Sequence, residues 1–167
     1  MPLAPATDEH LRELMTWFPD RESCRVWGGP SFRHPFTETT FREDAHWEEL
    51  PSYALVDGSG TLLGFGQFYR RWDRCHLGRL VVSPHHRRRG LGAVLVDGLA
   101  ALGRKRLAAQ ECSLIVMGSN LPAVHLYRKL GFEPVAWPEP DGGIPGALFM
   151  VWRSQAAIGT QTPPDIG

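Results

Sequence analysis

An apolar strand that feeds a glycine-bearing turn and then a long helix dominates what this chain can become. The stretch is Leu80-Val81-Val82-Ser83-Pro84-His85-His86-Arg87-Arg88-Arg89-Gly90-Leu91-Gly92-Ala93. The helix begins near Arg89 and carries Leu91, Leu95, Leu99 and Leu102 on one stripe. Gly90 and Gly92 remove side chains where a ligand would meet the backbone. The first N–H groups of a helix have no intrahelical partner, and the aligned peptide dipoles add positive potential there. Such a turn suits a phosphate. Arg87, Arg88 and Arg89 add charge and donors for further oxygens. A dinucleotide fingerprint would need a third glycine where Leu95 stands, and a Gly-Lys-Ser/Thr phosphate loop is absent. On the residues alone, a solvated basic corner and a nucleic-acid patch stay open beside the phosphate reading.

The rest of the chain alternates in a way that predicts one α/β domain. Thr7 can cap a short helix bearing Leu11, Leu14 and Met15. A second helical piece spans Asp20 to Trp27, broken by Gly28-Gly29-Pro30, and a third spans Thr37 to Glu49. Strands follow at Tyr53–Val56, Thr61–Trp72 and Cys75–Val82, the first two joined by the turn Asp57-Gly58-Ser59-Gly60. In the second of them Leu63, Phe65, Gln67 and Tyr69 are expected on one face. Beyond the long helix come a buried-type strand at Ser113–Met117, a helix at Asn120–Leu130 stopped by Gly131, and strands near Phe132–Trp137 and Ala147–Trp152. This order predicts a mixed, mostly antiparallel sheet flanked by helices. Residues 1–154 read as a single domain, and 155–167, small, polar and proline-bearing, read as a flexible tail.

Composition narrows the function. The chain has 167 residues, 43% hydrophobic, enough for one core. Lys+Arg and Asp+Glu both number 18, so bulk charge does not hold it to nucleic acid. No apolar run reaches the roughly 18 residues that a membrane span needs, and Met1-Pro2-Leu3-Ala4-Pro5 lacks the marks of a signal peptide. Cys24, Cys75 and Cys112 are an odd, scattered set, which implies reduced thiols in a cytoplasmic protein without a disulfide or metal framework.

A second constellation lies about 30 residues beyond Gly90: Asn120-Leu121-Pro122-Ala123-Val124-His125-Leu126-Tyr127-Arg128-Lys129-Leu130-Gly131-Phe132. Alone, Asn120 reads as an N-cap and Tyr127 as a half-buried core aromatic. Together the two stretches resemble the GNAT superfamily of acyl-CoA-dependent N-acetyltransferases. Arg87-Arg88-Arg89-Gly90-Leu91-Gly92 resembles that family's [Q/R]-x-x-G-x-[G/A] signature. Asn120, Ala123 and Leu126-Tyr127-Arg128-Lys129-Leu130-Gly131-Phe132 are similar to its Asn-to-Gly-Phe helix. The likeness covers about Tyr53 to Val151.

The resemblance implies the GNAT fold, acetyl-CoA as co-substrate without a metal, and transfer of acetyl to a primary amine of a small molecule or peptide. The attack is direct, in a ternary complex. The pyrophosphate would rest on Arg87, Arg88, Arg89, Gly90, Leu91, Gly92 and Ala93. The pantetheine would lie along Leu80, Val81 and Val82 like an added strand, where two strands splay, with Asn120 holding it. A backbone N–H near Leu80 or Val81 would polarise the thioester, and Tyr127 would protonate the departing thiolate. Some relatives place a Glu where this chain has Ile115, so the base is sought elsewhere. His76 has a pKa suited to the task, though a solvated strand-end histidine is the plainer reading. Glu48 and Glu49 read as exposed helix charges, and His125 as a packing or solvent residue on another face. A non-catalytic acyl-CoA-binding domain is the alternative. Neither nucleic acid nor membrane is expected as partner, and the state is monomer or homodimer.

Overall fold

The computed structural model describes residues 2–140 and 142–154, so the tail anticipated at 155–167 lies outside the described residues. Seven strands among them form one sheet in the order β1-β2-β3-β4-β5-β7-β6. They are β1 (Leu3–Pro5), β2 (Ser52–Val56), β3 (Leu62–Arg71), β4 (Arg74–Val82), β5 (Glu111–Met117), β6 (Glu133–Val135) and β7 (Ala147–Arg153). Only the β4–β5 neighbours run parallel. The helices are α1 (Asp8–Met15), α2 (Arg21–Gly28), α3 (Glu38–Asp44), α4 (Leu91–Leu107) and α5 (Leu121–Lys129). The mixed, mostly antiparallel sheet with helices on both faces is the expected architecture.

Two cores sandwich the sheet. On one face Leu91, Leu95, Val96 and Leu99 of α4 and Val124 of α5 pack with Leu77, Leu114, Val116 and Met150. On the other, Leu11 and Leu14 of α1, Cys24 of α2 and Phe41 of α3 pack with Trp17, Phe32, Trp47 and Phe65. Strand parity decides which face a residue serves, and a register shift between Leu55 and Val56 breaks that parity in β3. Leu63 therefore joins the α4 side and Phe65 the α1–α3 side, instead of the shared face that simple alternation implies.

Local chemistry sets the helix starts. Thr7, Asp20 and Thr37 each cap a helix with a reciprocal capping box, closing the first turns of α1, α2 and α3 on themselves. Helix α3 stops at Asp44 rather than Glu49, because Ala45 caps it and His46 turns left-handed at φ 49°. Helix α4 starts at Leu91 rather than Arg89, because Gly90 is left-handed at φ 72°. Strand β1 has only three residues, too short for a period-2 pattern; it exists because β2 offers Tyr53–Leu55 as a template.

Candidate functional site

The parallel pair at the centre of the sheet holds together for only two steps. Cys75 pairs with Cys112 and His76 with Ser113; beyond them β4 and β5 share no bridge. The β5-facing backbone of β4 from Leu77 to Val82 is therefore an open edge inside the sheet. On its other side β4 carries a bulge: Gln67 pairs with Gly78 and Phe65 with Val81, leaving Arg79 and Leu80 opposite Gly66. Arg79 sits left-handed at φ 49°. It donates from Nη1 to Gln67 Oε1 at 3.0 Å and from Nη2 to the Asp44 carbonyl at 3.3 Å. Its own carbonyl accepts the Trp27 indole N–H at 2.8 Å. Burial holds the Arg79 pKa below its ordinary value, and its Nε is buried without a partner. The bulge is thus clamped to β3, α2 and the end of α3. Leu80, Val81 and Val82 stand on the open edge just beyond it.

The turn after β4 ends in an uncapped helix. No side chain caps α4 at Gly90, and a Cβ there would meet nothing within 4 Å. The N–H groups of Leu91, Gly92 and Ala93 have no acceptor among the described residues; the first bond back to the turn is Val94 N–H to the Gly90 carbonyl, at 3.4 Å. Arg88 is left-handed at φ 65°, and Arg87, Arg88 and Arg89 are exposed and make no ion pair among the described residues. Open N–H groups, a helix start and three free guanidinium groups form an anion cradle. Gly92 lets this cradle sit against α5, because a Cβ there would stand 2.8 Å from Leu126 Cδ2. Leu91 points the other way, into the core.

Helix α5 brings the other two residues. Asn120 is exposed and caps α5, its Oδ1 accepting the Ala123 N–H at 3.5 Å. Tyr127 packs on the α4-side core and lies edge-on to Phe132, with ring centroids 6.1 Å apart. Its hydroxyl has no hydrogen bond among the described residues, and burial pushes its pKa up to about 12. His125 is exposed on another face of the helix.

His76 departs from both sequence readings. It is 3% exposed, its Nδ1 lies 2.8 Å from Ser113 Oγ, and Tyr69 and Trp72 flank its ring. Desolvation, helped by Arg71, pushes its pKa down to about 3. It is neither a solvated histidine nor a base poised near neutrality. Glu48 and Glu49 are exposed and engaged by Arg42 at 2.7 Å and His46 at 3.1 Å. Sequence reading missed Arg71 and Glu139. Together with Trp72, Ile115, Trp137 and Ile144 they line a cavity of about 150 Å³ on the face that carries His76. No period or motif links two residues 68 positions apart. No group of three or more His, Cys, Asp or Glu among the described residues could hold a metal ion, and no described helix is long and apolar enough to cross a membrane.

An open strand edge, a helix start with free N–H groups and a half-buried phenol suit an acyl-CoA-dependent transferase. The model of the acetyltransferase (GNAT) family matches residues 14–132, and the chain belongs to that family. It is an acetyltransferase whose co-substrate is acetyl-CoA. A Bacillus subtilis (strain 168) protein named for N-acetylation of a ribosomal-protein alanine is 28% identical over 62% of this chain and 68% of its own length. Streptothricin acetyltransferase of Streptomyces lavendulae is 36% identical over 48% of this chain and 43% of that protein. The crystal structure of spermidine N-acetyltransferase from Vibrio cholerae with CoA and spermine is 18% identical. It superposes with a TM-score of 0.70 over 94% of this chain and 97% of that one. At that identity the likeness speaks for the fold.

Proposed function

We propose that residues 1–154 work as one N-acetyltransferase domain that moves acetyl from acetyl-CoA to a primary amine by direct attack in a ternary complex. The observation that carries this is the fork at His76 and Ser113, with the cradle at Gly90 and Tyr127 on the helix packed beside it. The pyrophosphate takes the N–H groups of Leu91, Gly92 and Ala93, with Arg87, Arg88 and Arg89 around it. The pantetheine amides add to the free edge at Leu80, Val81 and Val82 as a strand would. Asn120 offers its side-chain N–H groups, its oxygen being spent on the cap.

In the chemical step the amine nitrogen, already without its extra proton, attacks the thioester carbon. The C–N bond forms, and the oxyanion is held by a backbone N–H of Leu80 or Val81. Collapse breaks the C–S bond; Tyr127 gives its proton to the departing thiolate, the acylated nitrogen sheds its remaining extra proton to water, and water returns a proton to the phenolate. A phenol held near pKa 12 is protonated throughout the working range. His76 stays neutral and fixes Ser113 at the fork; the ammonium proton leaves to water before attack. Three free, buried cysteines favour a reducing, cytoplasmic setting. With zero formal net charge, neither nucleic acid nor membrane is a partner in this reading, and the protein works as a monomer or homodimer.

Calorimetric titration with acetyl-CoA, repeated with Gly90→Glu, tests it. The carboxylate puts a bulky anion where the pyrophosphate rests. Micromolar binding by the wild type, lost in a folded Gly90→Glu protein, supports the reading. No binding by the folded wild type overturns it. Binding without thiol release across a broad amine panel would instead favour a non-catalytic acyl-CoA-binding domain.

A further inference from the structure

We infer that the cavity between the β3–β4 turn and the loop from β6 to β7 selects an acceptor carrying both an ammonium and a carboxylate, a small free amino acid. This rests on the acetyltransferase reading and deepens it. The cavity has two opposite charges that leave each other alone. Arg71 and Glu139 both line it, yet neither forms an ion pair with the other or with any described residue. Each is tied instead to Trp72. The Arg71 guanidinium carbon lies 3.9 Å from the indole centroid, and Glu139 Oε1 accepts the indole N–H at 3.3 Å.

The tie is rigid. Trp72 and Asp73 form the whole turn between β3 and β4, left-handed at φ 51° and 56°. The indole is wedged edge-on against His76 and Phe149, at 5.7 and 5.1 Å between centroids. A fixed flat ring therefore holds a cation over its face and a carboxylate at its N–H edge. The complement is a molecule with a carboxylate for Arg71, an ammonium for Glu139 and a short body between them.

Size and surroundings agree. The cavity measures about 150 Å³ and opens to solvent on one side, room for the head of an amino acid with a short side chain. Ile115, Trp137 and Ile144 wall the space with apolar surface for a short side chain. A polyamine fits badly. Among the described residues Glu139 is the one carboxylate that lines the cavity, and Arg79 sets a second guanidinium without an ion pair among them on the same side of the sheet. The position also suits the reaction. Ile115 is two residues beyond Ser113 and shares its face, while Trp72 touches His76, so the cavity abuts the fork.

The test is acetyl transfer, read as thiol release, with free amino acids from glycine to methionine, their methyl esters, and spermidine. The wild type is expected to favour the best free amino acid over its ester by at least tenfold in kcat/KM. Arg71→Met should bring that ratio near one by raising KM for the free amino acid, and Arg71→Lys should keep most of it. Melting curves for all variants show whether they are folded; if Arg71→Met is not, Arg71→Gln replaces it. Esters or spermidine turned over as well as the free amino acid overturn the inference. So does a ratio that survives the loss of the guanidinium. Acetyl-CoA bound, with no member of the panel acetylated, overturns it while the cofactor site stands. No acetyl-CoA bound overturns the parent reading and this one with it.

Discussion

His76 Nδ1 and Ser113 Oγ lie 2.8 Å apart across the last bridge between β4 and β5. The pair sits where the sheet stops being a sheet. Upstream, the strands are joined by backbone; downstream, each strand keeps a free edge. A buried imidazole and a buried hydroxyl that satisfy one another stabilise the fork point without charge. Removing one partner leaves the other dry and unpaired, which costs about 1–3 kcal/mol.

Ser113→Ala is therefore expected to lower stability by about 2 kcal/mol and to loosen the end of the β4–β5 pairing. Urea denaturation gives the first quantity. Faster amide exchange at Leu77 and Leu114, with little change in β2, gives the second.

His76 makes the fold sensitive to acid. Its folded pKa of about 3 lies below the ordinary histidine value of 6.5, so between those values the unfolded chain binds the extra proton and the folded chain does not. Stability then rises with pH through that window and is fully present above it. Moving the pKa that far corresponds to about 5 kcal/mol, at roughly 1.4 kcal/mol per pH unit. His76→Gln should flatten the curve of unfolding free energy between pH 6.5 and the acid limit. An unchanged slope would show that other groups carry the acid sensitivity. The same shift means that an apparent pKa near neutrality in the rate does not belong to His76.

Gly92 matters by contact rather than by conformation. A Cβ there would stand 2.8 Å from Leu126 Cδ2, so a branched side chain must turn Leu126 aside or move α4 and α5 apart. Gly92→Val should cost about 1–3 kcal/mol by overpacking and weaken acetyl-CoA binding by about tenfold or more, since it moves the N–H groups of the cradle. Paired melting and titration experiments read both losses. A second substitution, Leu126→Ala, should restore part of each.

Tyr127→Phe should lower kcat by about a hundredfold, in the range that proton transfer contributes, with little change in the Kd for CoA. The phenol is held near pKa 12, so the wild-type rate should show no alkaline decline from this group below about pH 11. A Phe variant as active as the wild type would remove the hydroxyl from the chemistry.

The turn after β4 was legible in the chain because its parts are consecutive: Gly90 and Gly92, the arginine run and the start of an amphipathic helix follow one another. The cap at Thr7 and the stop at Gly131 were readable for the same reason. The long helix was placed two residues early, because the left-handed turn at Gly90 leaves no mark that separates a helix start from a loop of arginines. Leu63 and Phe65 were assigned one face because period 2 assumes an unbroken ladder, and a register shift broke it.

The two charged residues of the proposed acceptor cavity were not legible. Arg71 ends β3 and Glu139 lies in the loop from β6 to β7, and the packing of Trp72 against His76 and Phe149 makes them neighbours. His76 carried the wrong charge expectation, since its pKa depends on the Tyr69 and Trp72 rings that close over it. Arg79 is one arginine among many in the sequence, yet in the fold it clamps the bulge of β4 to β3 and the end of α3.

The sequence by itself determined the order of elements, the amphipathic faces and the phosphate turn, because these depend on residues within a few positions of each other. Tertiary structure alone decided where the parallel pair opens, which ionisable groups are stripped of water, and which two opposite charges share a cavity. Those outcomes arise when distant segments exclude solvent from one another, and short-range spacing does not encode that exclusion.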